Sequence, residues 1–217
     1  NSQEKIDTAK RELEYVRKQH PLKMDVADTS VTVVIPVKDM QQYVIKAIES
    51  VRRQTHENWR LMLVDDGSTD GTQKVVRDFM EEYNDNRIEF YIFHENRGDR
   101  VACNYAAGMA QSEYFMCLSA DDLIEPTFME RCIDVLKLNA QIELVASQTD
   151  FIDAEGKPYT EGHPFKLIVK AANKSRAEWL ARLYNGNVYF GAGMFRTKML
   201  RDVGGWRQEY KQLSDYA

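Results

Sequence analysis

Short apolar runs alternate with stretches of helical periodicity through the first two thirds of this 217-residue chain. The runs are VTVVI (31–35), RLMLV (60–64), IEFYIF (88–93), YFMCL (114–118) and ELVAS (143–147). Between them, apolar residues recur every three to four positions near 42–54, 72–83, 100–111 and 126–139. Strands that alternate with helices form βαβ units. The pattern therefore predicts an α/β fold with a mostly parallel sheet and helices on both faces.

An amphipathic helix is predicted at the N-terminus, over residues 3–19, and a polar linker follows it to residue 30. Pro21 ends the helical pattern, in which four apolar residues are spaced by three or four, namely Ile6, Ala9, Leu13 and Val16. Two heptads are too few for an independent coiled coil. We therefore favour packing of this helix on its own domain, with a homodimer seam as the alternative.

The pattern loosens after Gly156. Ser175 and Glu178 have the spacing of a capping box and predict the start of a helix, and residues 187–196 read as a strand. A short helix from about Thr197 is expected to stop at two glycines, Gly204 and Gly205. We interpret residues 1–30 as helix and linker, and residues 31–217 as one domain.

Composition excludes several classes of protein. The net charge of −5 and the lack of a stretch dense in Lys and Arg argue against a nucleic-acid partner. No apolar run reaches the roughly 18 residues that cross a bilayer, and no signal-peptide core is seen, so we expect a cytoplasmic location. Four isolated histidines lack zinc-site spacing, and three dispersed cysteines, Cys103, Cys117 and Cys132, are expected to be small core residues.

Carboxylates follow three of the predicted strands. Asp39 comes after the first strand, Asp65 and Asp66 after the second, and Asp121 and Asp122 after the fourth. Parallel strands bring these positions to one edge of the sheet, where ligands bind in such folds. Each Asp alone is as well explained by a turn or a helix cap. Two acidic doublets at equivalent strand ends favour instead a hard cation, Mg²⁺ or Mn²⁺, with a phosphate-bearing substrate.

Familiar phosphate-binding loops are absent from the sequence, since nothing matches GxxxxGK[ST] and no GxGxxG follows a strand. The metal and scattered residues such as Arg100 would thus have to neutralise the charge of a bound diphosphate.

Five motifs in order resemble family 2 of the GT-A glycosyltransferases: VVIPVKD, LVDDGSTDGT, NRGDRVACNYAAG, YFMCLSADD and MFRTKMLRDVGGW. The resemblance covers residues 31–217. It implies a GT-A (Rossmann-like) fold and a metal-dependent, inverting transfer of a sugar from a nucleoside-diphosphate sugar, with a UDP-sugar favoured, to a hydroxyl of a saccharide or glycolipid acceptor. It further implies a nucleotide-sugar-binding half (31–150), an acceptor-side half (151–217), bacterial-type polysaccharide or glycoconjugate synthesis, and a cytoplasmic enzyme that peripheral contacts can hold at the inner face of a membrane.

The resemblance also implies roles on the donor side. Pro36, Val37 and Asp39 would touch the nucleoside, and Asp66 would accept a hydrogen bond from the base edge. Asp121 and Asp122 would hold the ribose side and the metal. Cys103 stands where an Arg is frequent in the family, which leaves Arg100 or Arg97 for the phosphates. Ser119 stands where many relatives carry an acid, which weakens one ribose or metal contact.

Asp215 is the candidate catalytic base on the acceptor side. The family usually places Glu before this Asp, whereas here Ser214 precedes it, and a helix N-cap at Ser214 or Asp215 is the alternative. Trp206 is a candidate to contact a sugar ring, although a core or rim aromatic is the favoured alternative. Relatives usually continue with a helix, so we expect the 217 residues to be part of a longer protein.

Two rival functions stay open. A nucleotide-sugar-binding module without turnover would fit the serines at 119 and 214. An interaction protein would instead use the N-terminal helix as its working surface. The motifs are shared across many donors and acceptors, so they indicate a class of reaction and no particular sugar.

Overall fold

The computed structural model describes residues 11, 14–15, 18–19, 28–147, 150, 152–153, 156–158 and 192–206. Within this part of the chain the strands are β1 (Val31–Val37), β2 (Trp59–Asp65), β3 (Ile88–Ile92), β4 (Tyr114–Cys117), β5 (Leu144–Ala146) and β6 (Gly193–Arg196). The helices are α1 (Val44–Arg52), α2 (Thr72–Tyr83), α3 (Asp99–Met109), α4 (Phe128–Leu138) and α5 (Thr197–Asp202). The alternation of strands and helices up to residue 147 is thus the one predicted from the apolar runs.

The strands form one sheet in the order β3-β2-β1-β4-β6-β5. β1 pairs in parallel with β2 and with β4, and β2 pairs in parallel with β3. β6 runs antiparallel to both of its neighbours, β4 and β5. The α/β prediction is confirmed, and the sheet is mixed, with β6 the strand that reverses direction. Because the chain builds outward from β1 to β3 and then returns to place β4 on the other side of β1, a crevice opens between the ends of β1 and β4.

Helices cover both faces of the sheet, as predicted. Alternate residues of β1 point to opposite faces, so Val33 and Ile35 join the core under α1, α2 and α4, whereas Val34 joins the core under α3 and α5. Both sets of side chains are buried. This two-sided burial explains why β1 reads as an unbroken apolar run and not as an alternating one.

The two glycines after α5 form the predicted stop. Gly204 and Gly205 have φ values of 88° and 79°, a left-handed conformation that side chains disfavour. The N–H of Gly205 donates to the carbonyl of Leu200 at 2.9 Å, which satisfies a carbonyl at the helix end. The chain therefore leaves α5 in a new direction and reaches Trp206 without continuing the helix.

The three cysteines were expected to be small core residues, and two of them are buried in the structure. Cys103 and Cys132 are buried, Cys117 is half-buried, and all three are free thiols. Cys103 lies 3.2 Å from Cys117, sulfur to sulfur, and this contact together with burial raises the pKa of the Cys103 thiol.

No helix in the described part of the chain is long and apolar enough to cross a bilayer.

Some predicted elements lie outside the described residues. They are the helix that begins near Ser175, the first part of the strand at 187–196, and most of the N-terminal helix. Of that helix, residues 11, 14–15 and 18–19 are described and are helical, and Glu14 and Lys18 form an ion pair one turn apart at 2.9 Å.

Candidate active site

The loops that follow β1, β2 and β3 are held together at the carboxyl edge of the sheet by side-chain carboxylates. Asp39 begins this network. Its Oδ1 accepts hydrogen bonds from the backbone N–H groups of Thr69 and Asp70, at 2.7 and 3.3 Å. In return, the N–H of Asp39 donates to the hydroxyl of Ser68 at 2.9 Å. The loop after β1 is therefore fixed to the loop after β2.

The Asp39 carboxylate is strongly biased toward its ionised form. A hydrogen bond from the ammonium group of Lys38 is the main cause, and the N–H of Thr69 adds to it. Together they lower the pKa of Asp39 to about 2. Asp39 has a φ of 54°, a left-handed conformation that is uncommon away from glycine and concentrates at turns and functional sites. Its exposed carboxylate is thus a fixed negative charge at the mouth of the crevice.

Gln41 and Asp70 add a second link between the same two loops. The N–H of Gln41 donates to Asp70 Oδ2 at 3.2 Å, and Gln41 Oε1 accepts from the N–H of Gly71 at 3.1 Å. Asp70 Oδ1 also accepts from the N–H of Thr72, the first residue of α2. Asp70 therefore supports the start of the helix. The role of Gln41 had no signal in the sequence.

The doublet Asp65-Asp66 divides between the two faces of the sheet. Asp65 is fully buried and accepts from the N–H of Ser68 at 3.1 Å and from the side-chain amide of Gln73 on α2. This is the turn role that stood as the alternative. Asp66, only 3% exposed, instead accepts from the backbone N–H groups of Arg97 and Gly98, at 2.6 and 2.7 Å. Asp66 therefore positions the loop that leads into α3.

Gly67 lets the loops after β2 and β3 approach each other closely. Its φ is 72°, and a Cβ atom there would lie 3.0 Å from the carbonyl carbon of Glu95 and 3.2 Å from the backbone nitrogen of Asn96. A side chain is disfavoured by both the backbone conformation and the space. The DG pair in the sequence signals a turn, but the contact with residues 95–96 is tertiary.

Pro36 and Val37 end β1 beside this network. Pro36 is half-buried and Val37 is buried, and the carbonyl of Val37 accepts from the N–H of Asp66 at 2.8 Å. The β1 backbone therefore borders the crevice, while the Val37 side chain belongs to the core.

Asp121 and Asp122 lie in a tight turn just after β4. Cys117, the last residue of β4, pairs with Val34, so the turn lies level with the final residues of β1. The N–H of Asp122 donates to the carbonyl of Ser119 at 3.1 Å, which closes the turn. Asp121 is exposed and Asp122 is half-buried. The acidic pair is therefore placed at the crevice between β1 and β4.

The number and type of ligands at this turn fit a Mg²⁺ or Mn²⁺ ion that also binds water and a diphosphate. The described residues contain no group of three or more His, Cys, Asp or Glu able to hold a metal. A hard cation that binds a diphosphate takes one or two protein carboxylates and completes its shell with water and phosphate oxygens. Asp121 and Asp122 supply oxygen ligands of that kind and number.

Arg100 and Trp206 lie on the face of the sheet that α3 and α5 cover. Arg100 is buried in the first turn of α3. The Trp206 ring packs against Phe115 and Phe195, with ring centroids 6.0 and 5.9 Å apart, and the residue is half-buried. This packing is what the core-or-rim alternative expects, and the partial exposure of the residue leaves the predicted sugar contact open. Asp215, Ser214 and Glu209 lie outside the described residues.

Solved structures with this fold include two that hold nucleotides. TarS of S. aureus in complex with UDP superposes with a TM-score of 0.65 and 17% identity, over 86% of this chain and 52% of that one. A mannosyltransferase from Pyrobaculum calidifontis in complex with GDP-Man and Mn²⁺ gives a TM-score of 0.58 and 18% identity, over 92% of this chain and 55% of that one. At this level of identity, the likeness shows the fold alone.

Sequence comparison finds relatives that are described as glycosyltransferases. An uncharacterized glycosyltransferase of Rickettsia conorii is 29% identical over 203 residues, which are 92% of this chain. The chain spans about a third of that relative, since the match covers 32% of its length. The family model described as glycosyl transferase family 2 matches residues 32–204, which is well over half of the chain. The chain therefore belongs to glycosyl transferase family 2.

Proposed function

We propose that this domain transfers a sugar, with inversion and with the help of a divalent metal, from a nucleoside-diphosphate sugar to a hydroxyl of a saccharide or glycolipid acceptor. One observation carries the proposal. Asp39, Asp66, Asp121 and Asp122 all lie at the carboxyl edge of the sheet, near the crevice between β1 and β4. Ligands bind at such a crevice in open α/β sheets.

The proposed donor site is formed by the linked loops. Pro36, Val37 and Asp39 would border the nucleoside, with Asp66 behind them at the base edge. Both Asp66 oxygens already accept a backbone N–H, and each keeps a second lone pair for a base donor. A UDP-sugar is the favoured donor, supported by the UDP that TarS binds, and a GDP-sugar is the alternative, supported by the mannosyltransferase complex.

Asp121 and Asp122 would hold the cation, and Arg100 would add positive charge near the phosphates. A divalent cation bound there neutralises the charge that builds on the leaving diphosphate. The Mn²⁺ in the Pyrobaculum mannosyltransferase complex supports this choice of metal class. Because the two carboxylates lie in the turn after a buried strand, an ion bound to them would lie at the edge of the sheet.

Inversion requires a base on the face of the sugar opposite the leaving group, within hydrogen-bond reach of the acceptor hydroxyl. Asp215 is the candidate for that role, on its position in the family motif. The half-buried Trp206 would offer its ring to the acceptor sugar.

A binding module without turnover is the second candidate, and one observation favours it. Ser119, in the turn after β4, is exposed and offers a neutral hydroxyl where many relatives carry an acid. A weaker hold on the cation would still allow the nucleotide sugar to bind. It would slow the step in which the diphosphate leaves the sugar.

A thermal-shift panel of UDP and GDP, each with and without Mn²⁺, tests the proposed site. We expect one nucleoside diphosphate with Mn²⁺ to stabilise the fold more than either component alone. At about 100 times Kd the stabilisation is about 2.7 kcal/mol, or roughly 5 to 10 °C in Tm for a chain of this size. A flat response across the panel would remove the site.

A further inference from the structure

Asn104 and Trp206 are joined by two reciprocal hydrogen bonds across the fold. The side-chain nitrogen of Asn104 donates to the carbonyl of Trp206, and the side-chain oxygen of Asn104 accepts from the N–H of Trp206. Both bonds are 2.8 Å long, and the residues lie 102 positions apart in sequence. The amide of Asn104 thus pairs with the backbone of Trp206 as a neighbouring strand would.

Burial makes this pair costly to separate. Asn104 is 6% exposed on the inner side of α3. If Trp206 moved away, a buried amide would lose a donor and an acceptor partner at once, and unsatisfied buried polar groups are strongly disfavoured. The backbone of Trp206 is therefore tied to α3.

This tie acts where the chain has no helical hydrogen bonds of its own. α5 ends at Asp202, and Gly204 and Gly205 then turn the chain through two left-handed conformations. Such a turn leaves the direction of the next residue to tertiary contacts. Asn104 fixes the backbone there, and Phe115 and Phe195 fix the ring. The half-buried Trp206 ring accordingly keeps one orientation.

The same helix is attached to the donor loop. Gly98, whose N–H binds Asp66, immediately precedes α3. Asn104 lies between one and two turns further along that helix. One rigid element therefore carries both the loop held by Asp66 and the segment held by Asn104.

We propose that Asn104 is a positioning residue that orients Trp206 for the acceptor sugar. This inference rests on the proposed function. A brace that only stabilises the fold is the competing explanation, and the two differ in what they do to the fate of the donor sugar. A misplaced acceptor slows transfer to the acceptor and leaves the donor exposed to water, whereas a weakened fold slows both reactions equally.

The test compares Asn104→Ala, Asn104→Asp and a control, Ser112→Ala. Asn104→Asp keeps an acceptor for the N–H of Trp206 but places a carboxylate oxygen against its carbonyl, so it should also loosen the hold on Trp206. Ser112 is also buried, and its hydroxyl bonds Thr32 and the carbonyl of Tyr114 at the other end of β4. Ser112→Ala therefore removes buried hydrogen bonds away from the site.

Amide hydrogen exchange gives the first readout and needs no substrate. The N–H of Trp206 should exchange slowly in the unmodified chain, about tenfold or more faster in Asn104→Ala, and unchanged in Ser112→Ala. Protection within α3 should persist in all of them. Unchanged protection of Trp206 in Asn104→Ala would overturn the inference whatever the activity.

The second readout is the partition of donor sugar between water and an acceptor probe. UDP-GlcNAc and GDP-mannose serve as donors, and p-nitrophenyl glycosides serve as acceptors. We expect Asn104→Ala to lower the ratio of transfer to hydrolysis by about 10- to 100-fold, a typical effect of misplacing a reacting group. A parallel fall of both rates, or a ratio equal to that of Ser112→Ala, would overturn the inference. Failure of the unmodified chain to bind any donor would instead contradict the proposed function.

Discussion

The buried carboxylate of Asp66 accepts a 2.7 Å hydrogen bond from the backbone N–H of Gly98, the residue that directly precedes α3. This bond ties the end of β2 to the loop after β3. A side chain that the family motif assigns to the nucleotide base is thus also part of the scaffold of the site. Such a residue shapes the loop, and each of its carboxylate oxygens keeps a second lone pair that a ligand could use.

Asp66→Asn should lower both stability and nucleotide affinity. One side-chain atom would become an NH₂ group facing a backbone N–H, so a buried donor would lose its acceptor, at a cost of about 1 to 3 kcal/mol. Chemical denaturation measures the free energy of unfolding, and titration with UDP or GDP in Mn²⁺ measures affinity. Asp78→Asn is the control, since Asp78 is exposed and pairs with Lys74 one turn earlier on α2. Equal stability of the two variants would contradict the scaffold role.

Gly67→Ala should destabilise the protein more than Gly156→Ala does. Both glycines have positive φ, at 72° and 88°, so both variants carry the strain of a left-handed alanine. A Cβ at position 67 also meets the backbone of Glu95 and Asn96, whereas one at position 156 meets no atom of the described residues within 4 Å. The difference in unfolding free energy between the variants isolates the loop contact. We expect it to be about 1 to 3 kcal/mol. Equal effects would show that the loops can separate without cost.

Asp39 should stay ionised well below the usual range of a carboxyl group. Its pKa of about 2 in the fold lies below the usual 3.8. A depressed folded-state pKa contributes stability that is fully present above pH 3.8 and is lost as the pH falls through about 2. Carbon NMR of the Asp39 carboxyl should therefore show little protonation at pH 3. Lys38→Met should shift the midpoint upward, because the ammonium group is the main cause. A midpoint of 3.8 in the unmodified chain would refute the ion pair and loop contacts.

Asp215→Asn tests the candidate base. A general base contributes about 10² to 10⁴-fold in rate, so sugar transfer should fall by such a factor. Nucleotide affinity should barely change, because the residue is assigned to the acceptor and not to the diphosphate. The rate of the unmodified chain should fall on acidification as the base is protonated. Normal transfer by Asp215→Asn would refute this assignment and make another acid on the acceptor side, such as Glu209, the candidate base.

The strands and helices could be predicted because each leaves a local signal. β1 is buried on both faces, which makes its apolar run continuous, and α5 stops at two glycines that take left-handed conformations. Convergence of the strand-end carboxylates followed from parallel order alone. The reversed direction of β6 could not be predicted, because it depends on pairing with β4, far earlier in the chain.

The different roles of Asp65 and Asp66 could have been predicted from strand geometry. Successive side chains of a strand point to opposite faces, so Asp65 turns toward α2 with Leu63, and Asp66 turns toward α3 with Val64. The role of Asn104 could not, because its partner is 102 residues away and nothing local marks it. Contacts of that kind are fixed by tertiary packing.

Release of nucleoside diphosphate from UDP-GlcNAc and from GDP-mannose tests the central claim most directly. It should be measured in Mn²⁺ for the unmodified chain, for the same chain with EDTA, and for Asp122→Asn, with circular dichroism to show that the variant is folded. We predict release from at least one donor by the unmodified chain in Mn²⁺, and a loss of about 10²-fold or more with EDTA or in the variant. Release that ignores both EDTA and Asp122→Asn, or tight donor binding with no release at all, would contradict the account.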